Sequence, residues 1–458
     1  MKKSFFALFF IAVFSFQPLA WAQPLNRPAV MAPLEVKNWD EFGDQLRKAK
    51  SIGATSVSTD VWWGKVEKDG DQKFNWEYYD KISKAIVDAG LKWVPILSFH
   101  QCGGNVGDDC DIPLPQWLWQ QLGADNPNQL KYKSEKGNLS SEVIALWSDD
   151  KARSQYVEFI AAFSARYKDQ AAHIEEINIS AGPSGELRYP SYNAHDGFSY
   201  PGRGYLQAYS DAAIADFAKY AKDKYATLER VNAAWNSSLT DWSQIRPPSN
   251  ADEFFGLKDY LNIQYGKDFT YWYNHALVKH GEFMLKLAVE ALNDSFPDVS
   301  LGIKIPGVHW QMNSPAIPRS AEISAGLIPT DIDIFSDSTG HGYAPIVDMV
   351  KRMNVPKHRV VLHFTCLEMD NEPAYPNYSQ AKDLVFWVSK SAADYGIGIM
   401  GENALSGGIS SDHGWDNIDN AIRWSSYQGL TTLRVGDLAH NNSLGFQRYQ
   451  RLINEFKR

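Results

Sequence analysis

The sequence predicts an α/β fold, a (β/α)8 TIM barrel with long insertions in its βα loops, and three observations carry that expectation. Eight short β-type runs alternate with longer runs of helical periodicity, the order that parallel strands and helical crossovers require. No early strand runs into the glycine-rich phosphate turn that marks the doubly wound alternative. The 458 residues hold no internal repeat, low-complexity tract or Pro/Ser-rich linker, so one large domain accommodates them.

The expected strands cover residues 30–33, 56–60, 93–99, 174–180, 300–305, 360–364, 397–400 and 431–434. Between the first two, Asn38 can cap a helix with Trp39, Phe42 and Leu46 on one side, stopped at Gly53. A second helix is expected over 76–89, ended by Gly90. Others are readable at 152–167, 379–395, 417–427 and 446–456. Residues 205–293 read as mostly helical and exceed what one crossover needs, while 327–359 is a long segment with no assignment.

The amino end reads as an address. Lys2 and Lys3 precede an apolar run over 5–16, and Ala20-Trp21-Ala22 supplies a small-x-small cleavage signal. A signal peptide of residues 1–22 is therefore expected, leaving 23–458 as a single domain exported to the periplasm or secreted. The run is short for a membrane span, no later segment is apolar enough for one, and no stable membrane insertion is expected. The formal charge of -9 and the lack of a later Lys/Arg run speak against nucleic acid or an anionic membrane as partner. Aromatics make up 13% of the chain, with 16 Trp and 22 Tyr, which suits sugar faces and ordinary cores alike. Cys102 and Cys110 are close enough in sequence to close a small loop by a disulfide, and Cys366 has no evident partner.

Barrel active sites are assembled where strands end at their carboxyl side. Strand two ends with Asp60 before Trp62 and Trp63, a carboxylate for hydroxyls beside indoles for a sugar face. Strand three ends at His100 and a glycine-rich loop, Gly103 to Gly107, that carries Asp108 and can move as a lid. Strand four leads through Gly-Pro-Ser-Gly to Glu186, with Arg188, Tyr189 and Tyr192 behind it. Taken alone, Glu186 is as readily a surface partner of Arg188. Strand five offers Lys304 and His309 near Trp310, strand six Thr365, strand seven Glu402 and Asn403, and strand eight Arg434. Glu402 supplies what Glu186 lacks. Two carboxyls across a barrel mouth, one protonated and one ionised, are the equipment of glycoside hydrolysis.

The motifs DVWWG, HQCGGNVGD, GPSGELRYPSY, IKIPGVHW, FTCLEM and GENAL resemble, in that order, those of the β-amylases of glycoside hydrolase family 14, most closely the bacterial members. The resemblance runs from Met31-Ala32-Pro33 to about Phe446. It implies an exo-acting, inverting hydrolase of α-1,4-glucans (starch, glycogen, maltooligosaccharides) that releases β-maltose from non-reducing ends. Glu186 would be the general acid and Glu402 the general base, their carboxyls roughly 6.5–9.5 Å apart to admit the water. Asp60, His100, Asp108, Lys304, His309, Thr365, Asn403, Ala404 and Arg434 match the family's sugar-binding positions, and Thr365 its inner loop. No cofactor is required for the chemistry, and a monomer is expected.

Two departures stand out. The carboxyl-terminal starch-binding domain that bacterial relatives often carry is not expected here, and weaker binding to raw granules is expected with it. The family's calcium pattern is matched by Glu67, Asp71, Gln72 and Glu158, but Gln155 stands where a carboxylate is expected. Two other functions compete with the implied one. A retaining β-glycosidase also places glutamates after strands four and seven, with carboxyls about 5–5.5 Å apart. A non-catalytic glucan sensor on the same barrel would lack one of the glutamates, and both are present.

Overall fold

The structure is a computed structural model that describes residues 26–456 apart from 106, 125, 313, 315, 331–340, 355–357 and 441–442. The expected signal peptide lies outside the described residues, as does part of the unassigned 327–359 segment. Eight parallel strands close a barrel: β1 Arg27–Met31, β2 Ser56–Trp62, β3 Lys92–Ser98, β4 Glu176–Ile179, β5 Ser300–Ile305, β6 Val360–Phe364, β7 Gly398–Glu402 and β8 Tyr427–Thr432. Each pairs with its sequence neighbours, and β1 pairs with β8 through Arg27 to Val30 against Gly429 to Thr432. Two boundaries differ from the sequence reading by several residues. β1 starts at Arg27, where it pairs with Gly429 of β8, and β8 starts at Tyr427, where it pairs with Ile399 of β7, so register with the neighbouring strand sets where pairing begins.

Among the helices of the described residues, one long crossover helix follows each strand: α1 Trp39–Ser51, α2 Glu77–Asp88, α3 Asp149–Tyr167, α4 Gln264–Leu292, α5 Ala344–Met353, α6 Ala381–Tyr395, α7 Asp412–Trp424 and α8 Leu444–Phe456. Asn38 caps α1 by accepting from the Glu41 amide at 3.2 Å, and Phe42, Leu46 and Ala49 bury its inner face. α7 begins five residues before the expected start, at the cap Ser411, and stops at Trp424 because Tyr427 already belongs to β8. The 327–359 segment includes α5, the ordinary crossover helix between β5 and β6.

The principal core lies between sheet and helices, where Trp63, Trp93, Phe99, Phe159, Phe163 and Tyr167 interlock. The barrel interior is partly polar. Arg27 of β1, Glu176 of β4 and His363 of β6 meet there, although they come from strands on different sides of the barrel. Burial works against the Glu176 charge, but His363 and Arg27 outweigh it and hold its carboxyl down at about 2. Gly302 of β5 makes room for this layer, since a Cβ there would stand 2.0 Å from Asn178 Oδ1.

Candidate active site

The segment between β4 and α4 brings Glu186 to the mouth. After β4 the chain turns through Gly182, whose missing Cβ matters because one there would lie 2.3 Å from the Glu186 carbonyl oxygen. Gly185 follows with φ of 76°, a conformation that favours glycine, over the His100 ring. Glu186 then runs beside Lys304 in a parallel bridge, with the Leu187 amide donating to the Lys304 carbonyl at 2.7 Å. Behind it, Tyr189 stacks on Tyr273 of α4 with centroids 4.0 Å apart and donates its hydroxyl to the Tyr273 carbonyl. Glu186 thus sits seven residues beyond the end of β4, on a loop held by backbone pairing and a packed ring.

Its surroundings are those of a buried acid, not of a surface pair. Arg188 Nε donates to Glu186 Oε2 at 2.8 Å, with side-chain exposures of 2% and 14%. The guanidinium also donates to Asn193 Oδ1 at 2.6 Å and to the Tyr189 carbonyl, and it lies 4.1 Å over the Tyr192 ring. Burial raises the Glu186 carboxyl above its ordinary range, Arg188 and Lys304 offset part of that, and Glu402 adds to it.

Glu402 is the last residue of β7 and accepts from Lys304 Nζ at 2.6 Å. Burial works against the Lys304 charge, but Glu402, Glu186 and Asp60 more than offset it, and the ammonium is held above its usual value. Lys304 therefore lies between the two glutamates: its backbone pairs with one and its side chain with the other. The Glu402 end is fixed from behind by Glu368, whose carboxylate accepts the Ala404 and Leu405 amides at 3.0 and 2.9 Å. Glu368 lies inside the FTCLEM motif, where the sequence alone assigned it no role. Ala404 lies at this point of the rim, presenting its backbone.

The other predicted positions gather around this pair. Asp60 accepts from Ser98 Oγ at 2.8 Å; burial raises its carboxyl, with Arg434 and Lys304 pulling the other way. His100 Nδ1 bonds Ser180 Oγ at 2.8 Å, and burial together with Lys304 and Arg188 pushes the ring down to about 3. Its lowered value favours the neutral imidazole, and the ring is wedged edge-on against Trp62. His309 Nδ1 bonds Ser379 Oγ at 2.8 Å, and burial lowers it to about 4. Thr365 Oγ1 accepts from the Gly307 amide at 2.9 Å, tying the β6 end to the β5 end. Arg434 stands two residues past β8 and donates to the Ala32 carbonyl at 2.9 Å.

Two predicted residues are turned to other partners. Asn403 is fully buried and places its whole amide on backbone: Leu433 N–H donates to it, and it donates to the Leu433 and Leu405 carbonyls. Its role here is to hold the β8 end, and with it Arg434, against the β7 end. Asp108 turns back on its own loop and accepts from the Gly103 and Asn105 amides at 3.0 and 3.1 Å. That loop is closed by the Cys102–Cys110 disulfide and by reciprocal Cys102–Ile112 backbone bonds. Asn105 reaches from it to Asn193 at 2.5 Å and to Arg188, so the loop docks on the residues that hold Glu186.

The calcium pattern lies at a corner behind β2. Glu67 accepts from Trp63 Nε1 at 2.7 Å and the Gln72 amide at 2.6 Å; burial, with Asp71 and Glu158 nearby, pushes it up to about 7. Gln72 Nε2 approaches Glu158 Oε2 at 3.4 Å. Asp71 Oδ1 and Gln155 Oε1 are buried without a hydrogen-bond donor. Among the described residues no three His, Cys, Asp or Glu side chains converge in a metal-holding group.

Comparison with known proteins agrees with this geometry. Residues 29–458 match the model of Glycosyl hydrolase family 14. The chain is 41% identical to a beta-amylase of Cytobacillus firmus over 429 residues, covering 92% of this chain and 86% of that protein. It is also 41% identical to a beta/alpha-amylase of Paenibacillus polymyxa, of whose length it spans 34%. The crystal structure of the catalytic domain of beta-amylase from Paenibacillus polymyxa superposes with a TM-score of 0.83 at 39% identity, covering 94% of this chain and 99% of that one. With the fold, the paired glutamates and the match over nearly its whole length in agreement, the chain belongs to glycosyl hydrolase family 14.

Proposed function

We propose that the chain acts as a β-amylase, hydrolysing α-1,4-glucans from their non-reducing ends and releasing maltose as the β anomer. The observation that carries this reading is the unlike setting of the two glutamates around Lys304. Burial raises the Glu186 carboxyl above its ordinary range, which favours its protonated form, whereas Glu402 accepts directly from the Lys304 ammonium. Glu186 donates its proton to the glycosidic oxygen as the bond to the anomeric carbon breaks. Glu402 takes a proton from the water that attacks that carbon from the opposite face, so the configuration inverts. Asp60, the neutral His100 and His309, Lys304 and Arg434 supply polar groups for the sugar hydroxyls. Asp108 reaches the sugar when its loop releases the Gly103 and Asn105 amides, and Ala404 offers its carbonyl.

The test is the anomer of the first product from maltopentaose, followed by NMR before mutarotation. β-Maltose supports the proposal, and an α product indicates retention and overturns it. No reducing sugar at all, with glucan still bound, supports the non-catalytic sensor instead.

Calcium binding at the β2 corner belongs to the same proposal. Glu67, Asp71, Gln72, Gln155 and Glu158 would hold the ion, and the two unpartnered acceptor oxygens with the crowded carboxyls support it. The ion would neutralise that crowding and take no part in the chemistry. A melting temperature several degrees higher in calcium than in chelator is expected, and equal values overturn it. Export, read from the amino-terminal sequence, and action as a monomer belong to the proposal as well; processing of the expressed precursor and light scattering of the mature chain test them.

A further inference from the structure

We infer that an exposed tyrosine shelf formed by Tyr200 and Tyr375, outside the mouth, holds the outer glucose units of long glucan chains whose ends lie in the site. The inference rests on the proposed glucan substrate and extends it beyond the residues assigned above.

The shelf is built from three βα loops. After β6 a short antiparallel hairpin, Asn371–Glu372 against Ser379–Gln380, projects from the barrel and carries Tyr375 near its tip. Tyr375 is 78% exposed and meets Tyr378 edge-on at 6.2 Å. The hairpin is fastened to the β5 loop, where the Gln311 and Met312 amides donate to the Asn377 and Tyr378 carbonyls at 2.6 and 3.1 Å. Its base reaches the site itself, since Ser379 Oγ bonds His309 and the Gln380 amide donates to the His309 carbonyl. From the β4 side comes Tyr200, 47% exposed, with its ring 5.8 Å from that of Trp310. Trp310 in turn packs against His309 at 5.4 Å and against Tyr192 at 5.0 Å. Tyr200 on Trp310 and the hairpin on Gln311 and Met312 share the β5 loop as their support, and Asn377 donates to Glu372 at the shelf's edge.

A continuous aromatic path thus leads from His309 in the site, through Trp310 and Tyr200, towards the hairpin that carries Tyr375. Exposed rings that adjoin one another and a site, unlike rings scattered singly, form the kind of apolar patch that marks a binding surface. The apolar faces of glucose units suit a tyrosine ring, and the carboxylate and amide at the edge suit its hydroxyls. An end-acting hydrolase also needs somewhere for the remainder of the chain to lie. Continuity with the site favours that remainder over a protein partner as the occupant.

The test compares Tyr375→Ala, Tyr200→Ala and the double variant on long soluble amylose and on maltotetraose. The expected result is a three- to tenfold rise in KM on amylose for the double variant, about what the loss of two ring contacts gives. The kcat on amylose and both constants on maltotetraose should stay within twofold, and Tyr375→Trp should restore the amylose KM. Equal losses on both substrates, or no change on amylose, overturn the shelf. Failure of the unaltered enzyme to cleave maltotetraose counts against the proposed function instead. In that case retardation in amylose-containing gels decides the shelf: weaker retardation of the double variant supports it, and equal retardation overturns it.

Discussion

Replacing Arg188 by Met tests how the proposed acid is tuned. The guanidinium is buried and donates a charge-assisted hydrogen bond to Glu186 at 2.8 Å. Such a bond contributes about 1.5–3 kcal/mol, and its loss disfavours the ionised carboxylate by that amount. At about 1.36 kcal/mol per pH unit, this corresponds to an upward displacement of about one to two units. Lys304 remains nearby and limits the effect. A general acid works while protonated, so the alkaline limb of kcat/KM against pH should move to higher pH by about one to two units. The assay is initial-rate maltose release from maltopentaose between pH 4 and 10. Melting temperature is the control, because Arg188 also holds Asn193 and the Tyr189 carbonyl and its loss should destabilise. Arg188→Lys, which keeps the charge, should move the limb less. An alkaline limb that stays put or moves down in a folded Arg188→Met variant refutes the assignment of Glu186 as acid tuned by this pair.

Four further outcomes are expected. Glu402→Gln should lower kcat by about a thousandfold or more while leaving maltose binding measurable by calorimetry; retained turnover contradicts its role as base. Gly182→Ala should displace Glu186, because the new Cβ would meet the Glu186 and Arg188 carbonyl oxygens at 2.3 and 2.7 Å, and kcat should fall about a hundredfold. Glu368→Ala removes the acceptor of the part-buried Ala404 and Leu405 amide bonds and should destabilise by about 1–3 kcal/mol in total in denaturant titration, with activity lowered through Glu402. Glu67 has its pKa raised by burial from 4.5 to about 7, so the folded chain binds the extra proton and stability falls as pH rises across that window. In chelator, the melting temperature of Glu67→Gln relative to the unaltered chain should therefore climb from pH 4 to pH 8; a constant difference counts against it.

The strand pattern was legible because each run is short, apolar and punctuated, and β5 and β6 were read to the residue. β1 and β8 were not, since the residues that begin them are set by pairing with neighbouring strands, Arg27 with Gly429 and Tyr427 with Ile399. The candidate site was legible as a list, because barrel folds place chemistry at strand ends and the motifs there keep their order. Glu368 and Glu176 were missed for a shared reason. Each is a buried carboxylate whose partners, two backbone amides in one case and Arg27 with His363 in the other, are remote in sequence.

Sequence alone determined the barrel, the paired glutamates and the likeness to β-amylases, because strand periodicity, turn glycines and motif order are properties of local residues. Tertiary structure decided what those residues touch. Arg188 beside Glu186 reads as an ordinary exposed pair until Tyr189 is stacked on α4 and the Cys102–Cys110 loop covers it. Lys304 reads as one cation on an apolar strand until closure of the barrel sets its ammonium on Glu402. Burial and charge proximity raise the Glu186 carboxyl, and both arise only when distant strands meet.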